Sequence, residues 1–219
     1  MKKVALVFCI LFGLNQVDAQ SGRFNHFAIE ASGGLAMPLS PKNDLIDGNY
    51  AGLNSFQISG RYNFYSRFNR ELQHLSVRLS YSHHGFKDSK NSDLGIAYNK
   101  LTAEAVYNVG QMFGLGYSSF ENLGLLAHAG AGVSFATPEG KDFYEKVGHL
   151  QLGLTPLFKI SDKVALFADL TYVLNLKQHY YYDGSLINPN YNHKTGGFTT
   201  FSFGIMFYPG EERHHADWY

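Results

Sequence analysis

Cysteine is almost absent from this chain, and the one copy, Cys9, lies in its leading segment. Without that segment neither a disulfide framework nor a thiolate site can be built. Charge is scarce too. Asp, Glu, Lys and Arg make up 16%, and 18 Lys+Arg balance 18 Asp+Glu. That balance excludes a basic nucleic-acid footprint and an acidic tail. No apolar stretch approaches the length of about 18 residues that a membrane-spanning helix needs. Helix-period segments, domain linkers, low-complexity tracts, phosphate loops, GxGxxG and HExxH motifs are also missing. Nothing in the chain calls for a cofactor.

Aromatic residues and glycine are plentiful: Phe 18, Tyr 15 and Gly 23 in 219 residues. Such a composition favours strands and turns over helices. Lys2 and Lys3, the apolar run Val4 to Leu14, and Val17-Asp18-Ala19 form a tripartite secretory signal with cleavage before Gln20. Removing Lys2, Lys3 and Asp18 leaves 16 basic against 17 acidic residues. The expected organisation is a signal peptide at 1–19, a body at 20–209 and a short periplasmic tail at 210–219 that frays or docks a partner.

The body alternates with period two. Apolar positions recur at Phe27 to Met37, Phe56 to Phe64, Leu75 to Tyr81, Leu101 to Tyr107, Leu123 to Phe135, Leu150 to Leu154, Val164 to Leu174 and Phe201 to Phe207. The intervening positions carry the polar residues and the charges. Long polar connections (38–51, 86–95, 137–147, 177–197) alternate with shorter ones (66–71, 111–121, 161–163). Eight segments of this kind predict an all-β, eight-stranded, antiparallel, up-and-down transmembrane β-barrel. Aromatics crowd the segment ends. Phe24, Phe64, Phe68, Tyr107, Phe120, Phe158 and Phe207 are assigned to one girdle. Phe56, Tyr81, Phe86, Tyr98, Phe135, Tyr172 and Phe198 are assigned to the other.

The chain resembles the OmpA-like outer membrane protein β-barrel (porin-family) proteins. The resemblance rests on the signal ending Val17-Asp18-Ala19-Gln20, on Gly33-Gly34, on Gly130-Ala131-Gly132, and on a last strand with Ser202, Gly204 and Phe207. Where that last pattern would end in an apolar residue, this chain has Pro209. Many such proteins continue into a peptidoglycan-binding domain, and this sequence carries none after Glu211. The resemblance implies location in the cell outer membrane. It implies contact with outer-membrane lipid and lipopolysaccharide, insertion by the barrel assembly machinery, and an extracellular or periplasmic protein partner. It implies no nucleic acid.

Five charges fall on the inward parity: Glu30, Arg61, Arg78, Glu104 and Asp169. An eight-stranded lumen is only as wide as its side chains, so these should pair into a polar plug. Tyr180, Tyr181 and Tyr182 are read as an exposed loop contact surface. Ser82 and His84 share the inward face near the rim, where a nucleophile and a base could sit. His83, His84, His179 and His193 lack metal-ligand spacing. Three functions follow: a structural or interaction protein, a narrow small-solute pore, or a lipid-modifying barrel enzyme.

Overall fold

The computed structural model describes residues 24–41, 53–64, 74–87, 93–115, 121–188 and 192–218. The proposed signal at 1–19 and the girdle positions Phe68 and Phe120 lie outside the described residues. Eight strands are present: β1 (Phe27–Ser40), β2 (Ser55–Asn63), β3 (Leu75–Lys87), β4 (Gly95–Asn108), β5 (Leu123–Pro138), β6 (Glu145–Ser161), β7 (Val164–Gln178) and β8 (Lys194–Phe207). Each pairs antiparallel with its neighbours in sequence, and β8 closes onto β1. Closure leaves no sheet edge, which is the condition for β-structure in hydrocarbon.

The period-two pattern sets the two faces. Ile58, Leu79, Leu101, Leu152, Leu170 and Phe203 point outward and are 51–62% exposed. Their inward neighbours Ser59, Arg78, Lys100, Gln151, Asp169 and Ser202 are buried. In water this wall would be an apolar patch far larger than a soluble monomer carries. The barrel therefore spans a membrane. Among the described residues no helix is long and apolar enough to cross one, so the crossing is made by strands.

Several strands run past the ends of their sequence patterns. β1 continues through Pro38 to Ser40. Its described ladder with β2 stops at Gly34↔Ser55, so only the β8 side remains to be satisfied there. β4 begins at Gly95, ahead of its sequence pattern, which is visible only from Leu101 because Asn99 and Lys100 hide the alternation. β6 is the longest, at 17 residues, and it carries Pro156 on its outer face. The connection after β4 opens with a helical turn, α1 (Val109–Met112). The Asn108 side chain caps it, accepting from the Gln111 N–H at 3.0 Å.

The tail is not frayed. After β8 the chain turns back across the short-turn mouth. It forms a parallel bridge between Asn25 and His215, then a 3₁₀ turn at Ala216–Trp218.

Candidate functional site in the barrel lumen

Strand register brings the inward charges to one level. Arg61 lies opposite Arg78, and Arg78 lies opposite Glu104. Two arginines side by side would repel. Glu30 separates them. Its Oε1 accepts from Arg61 Nε at 2.9 Å, and its Oε2 accepts from Arg78 Nη1 at 3.2 Å and Ser59 Oγ at 2.9 Å. Arg78 also forks onto Glu104 at 2.7 and 3.0 Å. Glu104 Oε1 meets His128 Nδ1 at 2.7 Å and accepts from Gln151 Nε2 at 2.8 Å. His128 Nε2 meets Asp169 Oδ2 at 3.1 Å, and Thr155 and Thr171 donate to the same carboxylate. Lys100 donates to Gln151 Oε1 at 2.8 Å, so Gln151 links it to Glu104.

All five charges picked from the sequence stand in this one network. His128, Lys100, Gln151 and Asp217 belong to it as well, although no sequence pattern singles them out. Carboxylates face both nitrogens of His128, and only the imidazolium donates from both. In that state Arg61, Arg78, Lys100 and His128 balance Glu30, Glu104, Asp169 and Asp217, four against four. Burial of charge in a narrow lumen is tolerable only with such pairing.

Glycines on the inward face make room for it. A Cβ at Gly130 would strike Glu104, one at Gly132 His149, one at Gly153 His128 and one at Gly204 Phe167. Gly130 and Gly132 therefore clear Glu104 and His149.

The tail docks across the short-turn mouth. Asp217 accepts from Arg61 Nη1 at 2.8 Å, from Nη2 at 2.5 Å and from Tyr208 Oη at 3.1 Å. Burial alone would raise the Asp217 carboxyl. The Arg61 charge outweighs burial and holds it far below the ordinary carboxylate range. His215 is fully buried, with its ring stacked on Tyr208 at 3.9 Å. Burial lowers its imidazole below the ordinary value against the pull of Asp217. Around these, Asn25 Nδ2 donates to the Glu212 carbonyl, Asn108 Nδ2 to that of Asp217 and Gln111 Nε2 to that of Ala216. Trp218 packs over Gly124 and Leu157, against the apolar cluster of Val106, Leu126, Phe167 and Met206.

An aromatic cluster fills the lumen toward the long-loop mouth. Phe86, Tyr98, Tyr182 and Phe198 meet edge-on or tilted at 4.8–6.4 Å, with Ile96, Val147, Val173 and Tyr180 around them. This corrects two expectations. Phe86, Tyr98 and Phe198 are not girdle residues, because their parity turns them inward. Tyr180 and Tyr182 are buried and cannot form an exposed contact surface; Tyr181 alone keeps partial exposure. Among the described residues of the connections at that end, the exposed aromatics are Phe143 and Tyr144, between β5 and β6. Phe56, Tyr81 and Tyr172 do face outward, as do Phe158 and Phe207 at the opposite end.

Between the ionic layer and the lid, the wall is lined by hydroxyls. His84 is held by Ser55 Oγ at 2.8 Å and Ser82 Oγ at 3.1 Å. His149 is held by Ser134 at 2.9 Å and Thr102 at 3.0 Å. Both nitrogens of His84 are thus engaged by hydroxyls, beneath the ring of Phe198. Among the described residues no carboxylate orients it as a general base. His83 faces outward onto Asn99, while His179 bonds Glu145 beside His193, so the four histidines do not converge. Among the described residues no group of three His, Cys, Asp or Glu side chains could hold a metal ion.

A closed, eight-stranded antiparallel barrel with an apolar outer wall and a polar interior is the architecture of the small outer-membrane β-barrels. Among solved structures the chain is similar to Neisserial surface protein A. The match has a TM-score of 0.54 and 15% identity, and covers 84% of this chain and 97% of that one. It is also similar to a major outer membrane protein from Thermus thermophilus, with a TM-score of 0.54 and 13% identity, covering 83% and 97%. At these identities the likeness is one of fold. No family model matches the chain. No curated protein matches it either.

Proposed function

We propose that this protein is a closed structural and interaction barrel of the bacterial outer membrane, not a conduit. It stands with its termini in the periplasm and its long connections outside. The observation that carries this reading is the filled lumen. An ionic layer lies at mid-depth, the Arg61–Asp217 contact and Trp218 close one mouth, and the Phe86–Tyr98–Tyr182–Phe198 lid closes the other. Phe143 and Tyr144, rather than the three tyrosines, are the aromatic surface offered to an external partner. Lipid and lipopolysaccharide surround the wall.

A narrow pore is the second reading. One observation favours it: Ser32 and Gln57, on the inward face, keep partial accessibility above the ionic layer. Swelling of liposomes loaded with the full-length protein, challenged with small sugars, separates the two. The closed barrel gives the rate of empty liposomes. Size-dependent swelling that responds to Arg61→Ala establishes the pore.

A further inference from the structure

Charge is paired unevenly along the lumen. In the ionic layer every cation touches a carboxylate. Arg61 reaches Glu30 and Asp217, Arg78 reaches Glu30 and Glu104, and His128 reaches Glu104 and Asp169. Lys100, on the long-loop side, is as deeply buried at 2% exposure. Among the described residues it touches no carboxylate. Its ammonium donates to Gln151 Oε1 at 2.8 Å and lies 5.3 Å from the centre of the Phe198 ring. The balance of four against four therefore reaches Lys100 only through an amide, since Gln151 stands between it and Glu104. Two of its three N–H groups have no acceptor among the described residues.

Strand register sets what surrounds this ammonium. Lys100 lies opposite Ser82, Ser82 opposite Gln57, and Gln57 opposite Ser32. All four have inward parity. Gln57 and Ser32 keep partial accessibility, so this row borders room for a small guest. Ser80 is the next inward residue of β3 toward the ionic layer, and it is 6% exposed. Its two neighbours across the ladder are Ser59 and Thr102. Both are engaged elsewhere: Ser59 donates to Glu30 at 2.9 Å, and Thr102 meets His149 at 3.0 Å. Ser80 Oγ is left without a hydrogen-bond partner. Such orphans are rare in native interiors, and each calls for an explanation. His84 and His149, on the same side of the lumen, are held between hydroxyls and bring no negative charge.

We infer that Lys100 and Ser80 hold a small monovalent anion of halide size in the lumen, with the Gln57 amide as a further donor. The spare N–H groups of the ammonium and the Ser80 hydroxyl are donors that the chain itself does not answer. A buried charge needs a partner in direct contact, and a single ammonium sets the valence at one. The guest is small because an eight-stranded lumen is little wider than the side chains that fill it. The inference concerns what the lumen holds rather than whether it conducts, so its test is separate from liposome swelling.

That test is anomalous diffraction from crystals of the full-length protein grown in sodium bromide. The wild type should show one bromide inside the barrel, within hydrogen-bond reach of Lys100 Nζ and Ser80 Oγ. Lys100→Met should lose it. In detergent solution, bromide in place of gluconate should raise the temperature at which the gel shift of the wild type disappears. Lys100→Met should show no such rise. In Ser80→Ala the bromide concentration giving half of the rise should be about tenfold higher, the loss of one hydrogen bond to a charged group. Where Lys100→Met fails to show a heat-dependent shift, Lys100→Gln carries the same comparison, because it keeps a donor without the charge. A wild-type map without bromide in the lumen overturns the inference, as does a lumen peak that persists in Lys100→Met. Peaks confined to the outer surface mean an adventitious ion only and overturn it too. An equal rise with bromide in wild type and Lys100→Met also overturns it.

Discussion

Asp217→Asn should release the carboxy-terminal tail. In the docked state the carboxylate receives two N–H groups of Arg61 and the hydroxyl of Tyr208. The substitution removes the charge and returns an NH₂ toward a guanidinium that cannot accept. Breaking a buried ion pair from one side costs about 3–5 kcal/mol, because the partner charge stays buried without compensation. Here Arg61 keeps Glu30 and Asn63. Undocking also lets water reach the guanidinium, so the lower figure, about 3 kcal/mol, is the relevant one. A loss of that size shifts the docked-to-undocked ratio by about a hundredfold. Trp218 is the only tryptophan in the chain, so its fluorescence reads the tail directly. In the wild type, iodide and acrylamide should quench it weakly. In Asp217→Asn quenching should approach that of free tryptophan, with the emission moved to the red. A variant that stays as protected as the wild type would refute the reasoning, and would assign docking to the Asn25, Asn108 and Gln111 contacts with the tail backbone instead.

Docking should also weaken as the medium turns mildly acidic. His215 is held below its ordinary value of about 6.5, so its stabilising neutral form is fully present above that pH and is lost as pH falls toward the docked value. Asp217 contributes above the ordinary carboxylate range and is retained until far lower pH. Trp218 quenching should therefore rise as pH falls below about 6.5, and His215→Asn should flatten that rise. Arg78→Ala should cost about 3–5 kcal/mol of barrel stability, because Glu104 loses its fork; the temperature at which the gel shift disappears should fall accordingly. Gly132→Ala and Gly60→Ala should diverge. A Cβ at Gly132 meets the Leu101 carbonyl and His149, while one at Gly60 meets nothing within 4 Å. The first should lose about 1–3 kcal/mol, and the second should unfold like the wild type.

The barrel was legible because the alternation is regular and side-chain direction follows it residue by residue. Glu30, Arg61, Arg78, Glu104 and Asp169 could be placed inward by parity alone. Three kinds of residue escaped. Lys100 lies where its strand is polar on both faces, so the alternation becomes visible only from Leu101. Phe86, Tyr98 and Phe198 resemble girdle residues in type and position, and only their parity distinguishes a lid from a girdle. Asp217 lies nine residues beyond Tyr208, in a segment without periodicity, and its place is set by Arg61 across the mouth. Contacts of that kind leave no local pattern. Tyr180 and Tyr182 show the same limit in reverse. A tyrosine-rich loop tip has the composition of a contact surface, yet the open top of an eight-stranded lumen is itself apolar enough to draw the rings inward.

Closure of the lumen from mouth to mouth is the claim on which the rest depends. Single-channel recording of the full-length protein in a planar bilayer tests it most directly, with insertion verified by gel shift on the recovered protein. A silent bilayer is expected for the wild type and for Asp217→Asn alike, because the ionic layer and the aromatic lid remain when the tail leaves. Steady ohmic conductance in the wild type would contradict it.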